Sequence, residues 1–600
     1  MNREKRKIIH PESSDLASII TAVNCFAAVY KSSKNTKEDI SMIFLRNFTV
    51  DGIDPFLKLY LYNSGIHPNI AYGQYDNMNQ EIIDKSSILY AGKPHIIVLS
   101  LILEHLDQDF LNPGWNKQQA QDRLIGLFDL LKANVGSLIA VNTFIPPFYS
   151  EYGILAHKYA DDKILQIQDL NLIIRKYVRD NPSQFFLFDW EKYARILGED
   201  KSMDYRYWYL SKAPFRKDFL ALYSKELAAL CRTLKGKIKK CLVIDCDNTL
   251  WGGIIGEDGI NGIKLNNDTY PGKCYYDFQK VILNLKNRGV IIALCSKNNE
   301  EDVWEVLDDH KDCPLKRSHI SGFRINWKNK ADNIKSLSEE LNLGLESFVL
   351  VDDSPAECEM VKQLLPDVAV LQVPKNICEL PQLLLKEGLF EALSINQEDR
   401  ERTKLYRDEI IRKKAESQFE NLDDYLASLG LTAKIHAAKP NEIPRVAQLT
   451  NKTNQFNLTV HRYSEIDIKD FTERQDSKVF SMSAKDRFGD FGLTGVLIFF
   501  YKDGLLVIDS LLISCRILGR KLEFAFVNYC LDHLEKYEKR WAFKTIEAKY
   551  VPAKKNQQVA TFWDRMGFSL VKDEQGVKIY RIDKNKRTKE SVKFIKIAGD

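Results

Sequence analysis

Residues 240–259 read KCLVIDCDNTLWGGIIGEDG. The apolar run Cys241–Ile244 predicts a short strand buried in a parallel sheet. Two carboxylates, Asp245 and Asp247, follow at its C-terminal edge, then Asn248, Thr249 and the pair Gly252-Gly253. Open α/β sheets take their ligands at the carboxyl ends of strands, so acids placed there face a crevice. D-x-D-x-T in that position has a mechanical reading. Asp245 attacks phosphorus, Asp247 shuttles a proton to and from the bridging oxygen, and Thr249 steadies the turn. An anionic nucleophile and an anionic phosphate repel each other, so the site calls for a cation.

An Asp-rich turn after a strand is common and proves little alone; the order of the residues downstream decides. After the strand Val290–Leu294 comes Ser296, in CSKN, a hydroxyl able to donate to a phosphoryl oxygen. Lys330, in NWKNKADNI, supplies a positive charge at the start of a helix, where the helix dipole also favours anions. A third strand, Ser347–Val351, delivers Asp352-Asp353-Ser354-Pro355, an acidic pair suited to a hard cation. Nucleophile, hydroxyl, lysine and acidic pair in this order resemble the haloacid-dehalogenase superfamily. About 50 residues separate Asp245 from Ser296 and about 34 separate Ser296 from Lys330, too few for an inserted cap domain. A capless site accepts a bulky partner or borrows a lid from its neighbours. Cys246, between the two acids, packs as a small apolar side chain or carries an acyl group as a thiolate; Cys295 and Cys515 compete for the second role.

The chain has 600 residues, too many for one core, and implies three or four domains. Its 86 basic and 82 acidic side chains leave net +4, which argues against a nucleic-acid platform with a dominant basic field. Eleven cysteines without paired C-x-x-C spacing fit reduced thiols in a cytoplasm. The apolar segment Ile19–Tyr30 reads as an amphipathic helix, no stretch has transmembrane length, and no membrane partner is expected.

From residue 41 to 234, β-like runs (Met42–Leu45, His95–Leu101, Ser137–Val141, Gln184–Phe188) alternate with helical spacing at Pro55–Asn63, Lys117–Ala133 and Asp161–Arg179. That pattern predicts an α/β domain with a mainly parallel sheet. Its layout resembles the SGNH-hydrolase or flavodoxin-like folds. The serine nucleophile of the former is replaced by Leu45-Arg46-Asn47-Phe48-Thr49, and its Asp-x-x-His by Asp204-Tyr205-Arg206-Tyr207. No esterase dyad assembles, so the expected role is binding or docking. Residues 235–375 form the phosphatase-like domain, and 376–428 a charged linker in which Gln397–Lys414 reads as a solvated helix. Residues 429–585 form a compact α/β unit with strands Leu493–Tyr501 and Leu505–Ser510 around the hairpin turn Lys502-Asp503-Gly504. The helices Leu522–Glu538 and Asn556–Arg565 flank the strand Thr545–Lys549, and a basic tail, 586–600, comes last. This unit resembles the GNAT acyltransferase fold, whose glycine-containing turn presents backbone N–H groups to a pyrophosphate. Arg516 and Gly519 match that turn, while Lys521 replaces its last small residue.

Taken together, VIDCDNTLWGGIIGEDG, CSKNN, RINWKNKADNI, LVDDSPAE, LTNKTNQFNLT, DRFGDFGLTGV and SCRILGRKLE resemble the FkbH family, a haloacid-dehalogenase branch (subfamily IIIC). The likeness runs from about residue 41 to 570. It implies three α/β domains: SGNH-like, capless phosphatase-like and GNAT-like. It further implies Asp245 as phosphoryl acceptor and Asp247 as general acid/base, with Ser296 and Lys330, beside Thr249, binding phosphate. Mg²⁺ would be held by Asp245, Asp352, Asp353 and the Asp247 backbone. The family's implied reaction takes 1,3-bisphosphoglycerate, or a similar small phosphorylated acyl donor, and passes a glyceryl unit to an acyl carrier protein for polyketide assembly. Arg516 and Gly519 would meet the carrier's phosphopantetheine arm. By its residue types, the segment Lys452–Thr459 (KTNQFNLT) is either a polar loop closing the last domain or a row of amides and hydroxyls that lines an inter-domain cleft and lids the capless site. The competing readings are a plain phosphohydrolase acting on a small ester or phosphoprotein, and a non-catalytic multidomain scaffold.

Overall fold

The structure, a computed structural model, describes residues 15–32, 39–393, 421–553, 555–587 and 594–599, with the isolated positions 395, 400, 401, 405, 408, 412, 419 and 592. Most of the expected charged helix 397–414 and parts of the basic tail lie outside the described residues. The chain divides into two compact units, residues 1–235 with 465–467, and residues 236–464 with 468–600. The phosphatase-like and C-terminal sheets share the second unit.

The first unit carries a five-stranded parallel sheet of β1 (Ile40–Arg46), β2 (Pro68–Tyr72), β3 (Ile96–Ser100), β4 (Leu138–Asn142) and β5 (Phe185–Phe188), in the order β2-β1-β3-β4-β5. This is the doubly wound flavodoxin-like order. Side chains alternate between two buried layers: Met42 and Phe44 enter one, Ile43 and Leu45 the other. Strand β2 was not expected from sequence. It is a half-buried edge with no continuous apolar run. The helix Leu16–Ser32 matches the amphipathic segment, and no helix among the described residues is long and apolar enough to cross a membrane.

In the second unit, β6 (Cys241–Ile244), β7 (Ile291–Ser296), β8 (Gly322–Ile325), β9 (Phe348–Asp352) and β10 (Ala369–Gln372) form a parallel sheet ordered β10-β9-β6-β7-β8. The strand order reverses beside β6, with β7 and β8 laid down on one side and β9 and β10 on the other, so the crevice of this sheet opens at the carboxyl ends of β6 and β9. Residues 246–330 hold only the helices Ile255–Gly262, Gly272–Asn287 and Glu300–Asp309, one 3₁₀ turn and strands β7 and β8, with no cap domain.

A nine-stranded sheet completes this unit: β11 (Thr432–Ala437), β12 (Phe456–Asn457), β13 (Ser477–Asp486), β14 (Gly489–Lys502), β15 (Leu505–Ile513), β16 (Thr545–Tyr550), β17 (Ser569–Glu574), β18 (Val577–Asp583) and β19 (Lys596–Gly599). The hairpin turn between β14 and β15 has positive φ at Asp503 and Gly504, the geometry that matches strand twist. Parallel strands β15 and β16 pair as far as Ile508 and Ala548 and then part. The gap is bridged by the chain itself: β12 pairs with Leu512 and Ile513, and the Val551 N–H donates to the Leu458 carbonyl at 2.8 Å. The expected helix Asn556–Arg565 is a 3₁₀ turn, Gln557–Val559, and one α-turn, Phe562–Arg565. Arg412, expected on a solvated helix, is fully buried and paired with Asp486 at 2.8 Å beside the Phe491 ring.

Candidate active site

Strand β6 is apolar on both faces because it lies between β7 and β9, and its alternation fixes the direction of each side chain at its carboxyl end. Leu242, Ile244 and Cys246 share one buried cluster, whereas Cys241 and Val243 enter the other. Asp245 therefore leaves the strand on the opposite side from Cys246, at the sheet's carboxyl edge. From β9, Asp352 and Asp353 reach the same place; one carboxylate oxygen from each of Asp245, Asp352 and Asp353 lies within 4.8 Å of the others. Lys330, first residue of the helix Lys330–Glu340 and 3% exposed, places Nζ 3.1 Å from Asp245 Oδ1 and 2.5 Å from Asp352 Oδ2. Asn329 caps this helix by accepting from the Ala331 N–H, which fixes where Lys330 starts.

Three carboxylates against one ammonium leave a buried excess of about two negative charges, which one divalent cation neutralises. Burial, and then the neighbouring Asp245, push the Asp352 carboxyl up to about 6 and Asp353 above its usual range. Lys330 is moved the other way from the buried-lysine norm, because the two carboxylates outweigh its own burial and raise it. All-oxygen donors of this kind fit a hard cation.

Asp247 stands apart from this cluster. Its Oδ1 accepts from the Trp251 indole at 2.9 Å and the Ile255 N–H at 3.1 Å, and its Oδ2 from the Asn298 amide at 3.0 Å. With both carboxylate oxygens so engaged, its carboxylate is held by the flap around 251–255 rather than by the metal set. Only its backbone is left for the expected ligand role. The turn itself is closed by Asn248, at positive φ, whose side chain accepts from the Gly253 N–H at 2.9 Å.

Ser296 ends β7, is 2% exposed, and accepts from the same Asn298 amide at 3.2 Å. Thr249 is fully buried, and its hydroxyl has no partner among the described residues. Asn298 and Trp251 are the residues the sequence reading passed over. Asn298 lies in the quoted CSKNN, two residues after Ser296, and both stand where a donor could reach Asp247.

Two expectations are corrected. Cys246 is fully buried, and burial followed by the adjacent Asp245 drives its thiol well above the ordinary range. A neutral thiol turned into the core cannot carry an acyl group from the crevice. Cys295, also buried, is pushed up to about 12 for the same first reason. The segment Lys452–Thr459 does not cover the site either. The contacts it and its domain make with the phosphatase-like sheet run from Lys452 O to Lys240 Nζ (3.1 Å), from Gln455 to Asn342 (3.2 Å) and from Lys555 to Glu346. Lys240 precedes β6, and Asn342 and Glu346 precede β9, so these contacts fall at the amino edge, across the sheet from Asp245.

In the C-terminal turn, Gly519 has φ +80° and open space around it, whereas Arg516 donates to the Phe491 carbonyl at 2.8 Å and Lys521 pairs with Asp423 at 2.9 Å. The Cys515 side chain lies outside the described ones. In the first unit, Asp204 caps the helix Tyr205–Ser211 by accepting from the Tyr207 N–H. Asn47 pairs with the backbone of Ile102, while its carbonyl lies 2.5 Å from His105 Nδ1.

Residues 240–371 match the family model of the NLI interacting factor-like phosphatase. Among solved structures, the N-terminal part of a Bacteroides fragilis protein containing a phosphatase domain, complexed with Mg, aligns with a TM-score of 0.57 at 26% identity. That alignment covers 62% of this chain and 99% of that one, so the likeness extends beyond residues 240–371. The ribosomal-protein-S18-alanine N-acetyltransferase from Escherichia coli aligns at 13% identity with a TM-score of 0.20, over 25% of this chain and 93% of the other. No curated protein matches the sequence. The fold and the acidic site thus define a phosphatase domain of the haloacid-dehalogenase type. Within that class, the matching model is that of the NLI interacting factor-like phosphatases.

Proposed function

We propose that this chain is a Mg²⁺-dependent enzyme of the FkbH kind that dephosphorylates 1,3-bisphosphoglycerate, or a similar acyl phosphate, and delivers the glyceryl unit as a thioester to an acyl carrier protein for polyketide-type biosynthesis. The observation that carries the phosphatase half is Lys330 bridging Asp245 and Asp352 in a capless crevice. Asp245, Asp352 and Asp353 would hold Mg²⁺, with the Asp247 backbone. When bound, Mg²⁺ supplies the positive charge that lets an anionic phosphate approach an anionic nucleophile.

The work divides among the residues by position. An Asp245 oxygen attacks the phosphorus of the C3 phosphate ester, and Asp247 gives a proton to the departing C3 oxygen. Lys330 and Ser296 receive the phosphoryl oxygens. Asp247 then takes a proton from the water that opens the aspartyl phosphate. The acyl phosphate at C1 has to survive this step, because attack on its phosphorus would release an unactivated carboxylate. A carrier thiol then attacks the C1 carbonyl, a thioester forms, and the second phosphate leaves with the thiol proton. The open carboxyl edge suits a protein-borne arm, and the turn at Gly519 offers the accessible backbone that the arm's phosphate would need.

A second reading, a phosphohydrolase of small esters or phosphoproteins, is favoured by the family model matched at 240–371. Intact-mass spectrometry separates the two after incubation with 1,3-bisphosphoglycerate, Mg²⁺ and candidate carrier proteins. A glyceryl adduct on a carrier supports the transfer. Stoichiometric phosphate release without an adduct on any protein leaves the hydrolase.

A further inference from the structure

Cys274 and Cys378 lie 104 residues apart in sequence, yet their Sγ atoms stand 4.0 Å from each other. Cys274 is in the first turn of the helix Gly272–Asn287 and partly exposed; Cys378 is exposed in the 3₁₀ turn Ile377–Glu379, which leads into the helix Leu380–Glu387. Among the described cysteine side chains only Cys25 is also accessible, and the other seven are buried. We propose that Cys274 and Cys378 are a thiol-oxidation site that closes to a disulfide on exposure to a small disulfide such as oxidised glutathione.

The geometry is set by the core under the two sulfurs. Tyr275, Phe278 and Ile282 of one element and Leu380 and Leu384 of the other are buried in the same apolar cluster. The two backbones are thereby held against each other, while the thiols point outward from them. The cap at Asn376, which accepts from the Cys378 N–H at 3.3 Å, fixes the second turn. A disulfide needs its sulfurs about 2 Å apart, so closure asks for side-chain rotation of about 2 Å and not for the elements to move together from a distance. Cys378, the more exposed of the two, is the first to meet the small disulfide.

The step balances without a cofactor. Cys378 loses its proton, and its thiolate attacks one sulfur of the small disulfide and expels one small thiolate. Cys274 then loses its proton and attacks the Cys378 sulfur of this mixed disulfide, expelling the second small thiolate. Two protein S–H bonds are lost and one S–S bond is made. Two electrons pass to the small disulfide, which ends as two thiols. The link lies beside functional elements: the ring of Tyr275, next to Cys274, packs so closely on Gly252 in the flap that a Cβ added there would clash with it.

The test uses the full chain, reduced and then treated with oxidised glutathione, and does not depend on any enzymatic activity. Non-reducing peptide mapping should find residues 274 and 378 in one linked peptide, in protein about 2 Da lighter than the reduced form and restored by a dithiol. In Cys274→Ser the mixed disulfide on Cys378 should persist instead. The proposal is overturned if glutathione accumulates on both cysteines of the unmutated chain without a linked peptide, if Cys378 couples elsewhere, or if neither thiol reacts under conditions that label Cys25.

Discussion

Lys330→Met removes the ammonium from the acidic cluster and keeps most of its volume. In the parent, Nζ lies 3.1 Å from Asp245 and 2.5 Å from Asp352, and the three side chains are 3%, 9% and 0% exposed. At an effective dielectric near 20 these separations correspond to gross attractions of about 5 and about 7 kcal/mol. Most of that is offset by the cost of drying the ions, but removing one partner strands the others, and such losses run to about 3–5 kcal/mol. A metal-free variant should be destabilised by that amount, and Mg²⁺ should return part of it by taking over the neutralisation. Phosphate release should fall about 100–1,000-fold, as for loss of one preorganised charge donor. Hydrogen exchange at β6 and β9 reads this domain separately from the rest of the chain. The double variant Lys330→Met/Asp352→Asn should recover much of the stability and none of the turnover. A single variant within about 1 kcal/mol of the parent, with activity retained, would refute the charge reasoning.

Asp245→Asn should abolish phosphate release and yet raise the metal-free melting temperature, because it removes a repulsion that burdens Asp352 and Asp353; a lower melting temperature would contradict this. The folded pKa of Asp352 lies above its unfolded value, so the folded chain binds more protons than the unfolded one between about pH 4 and 6. Metal-free stability should therefore fall as pH rises through that window, and the Mg²⁺-induced rise in melting temperature should grow across it, measured by scanning with and without chelator. Asn298→Ala frees one oxygen of Asp247 and removes its tie to Ser296. The expected loss is about 10–100-fold in kcat, with KM little changed and the pH profile altered, since a donor of this kind is worth about 1–3 kcal/mol. Trp251→Phe, which deletes the indole N–H and keeps a ring in the core, should give a smaller loss of the same character.

The sequence alone determined the phosphatase-type domain, because its signals are local. A buried parallel strand is a continuous apolar run, its carboxyl end is the residue after that run, and Asp245, Ser296, Lys330 and Asp352 each sit at such an end or at a helix start. Order and spacing also excluded a cap. Tertiary structure decided what depends on side-chain direction and on neighbours distant in the chain. Strand parity turned Cys246 into the core and Asp245 out of it. The flap and Asn298 drew the Asp247 carboxylate away from the other acids, and a half-buried edge hid β2. The segment Lys452–Thr459 looked like a lid because polar residues suit a cleft, but its Phe456–Leu458 backbone pairs with β15 and Val551 in the gap between β15 and β16 instead. The physical reason is the same throughout: apolar periodicity is written along the chain, whereas which polar group pairs with which is settled only when the elements pack.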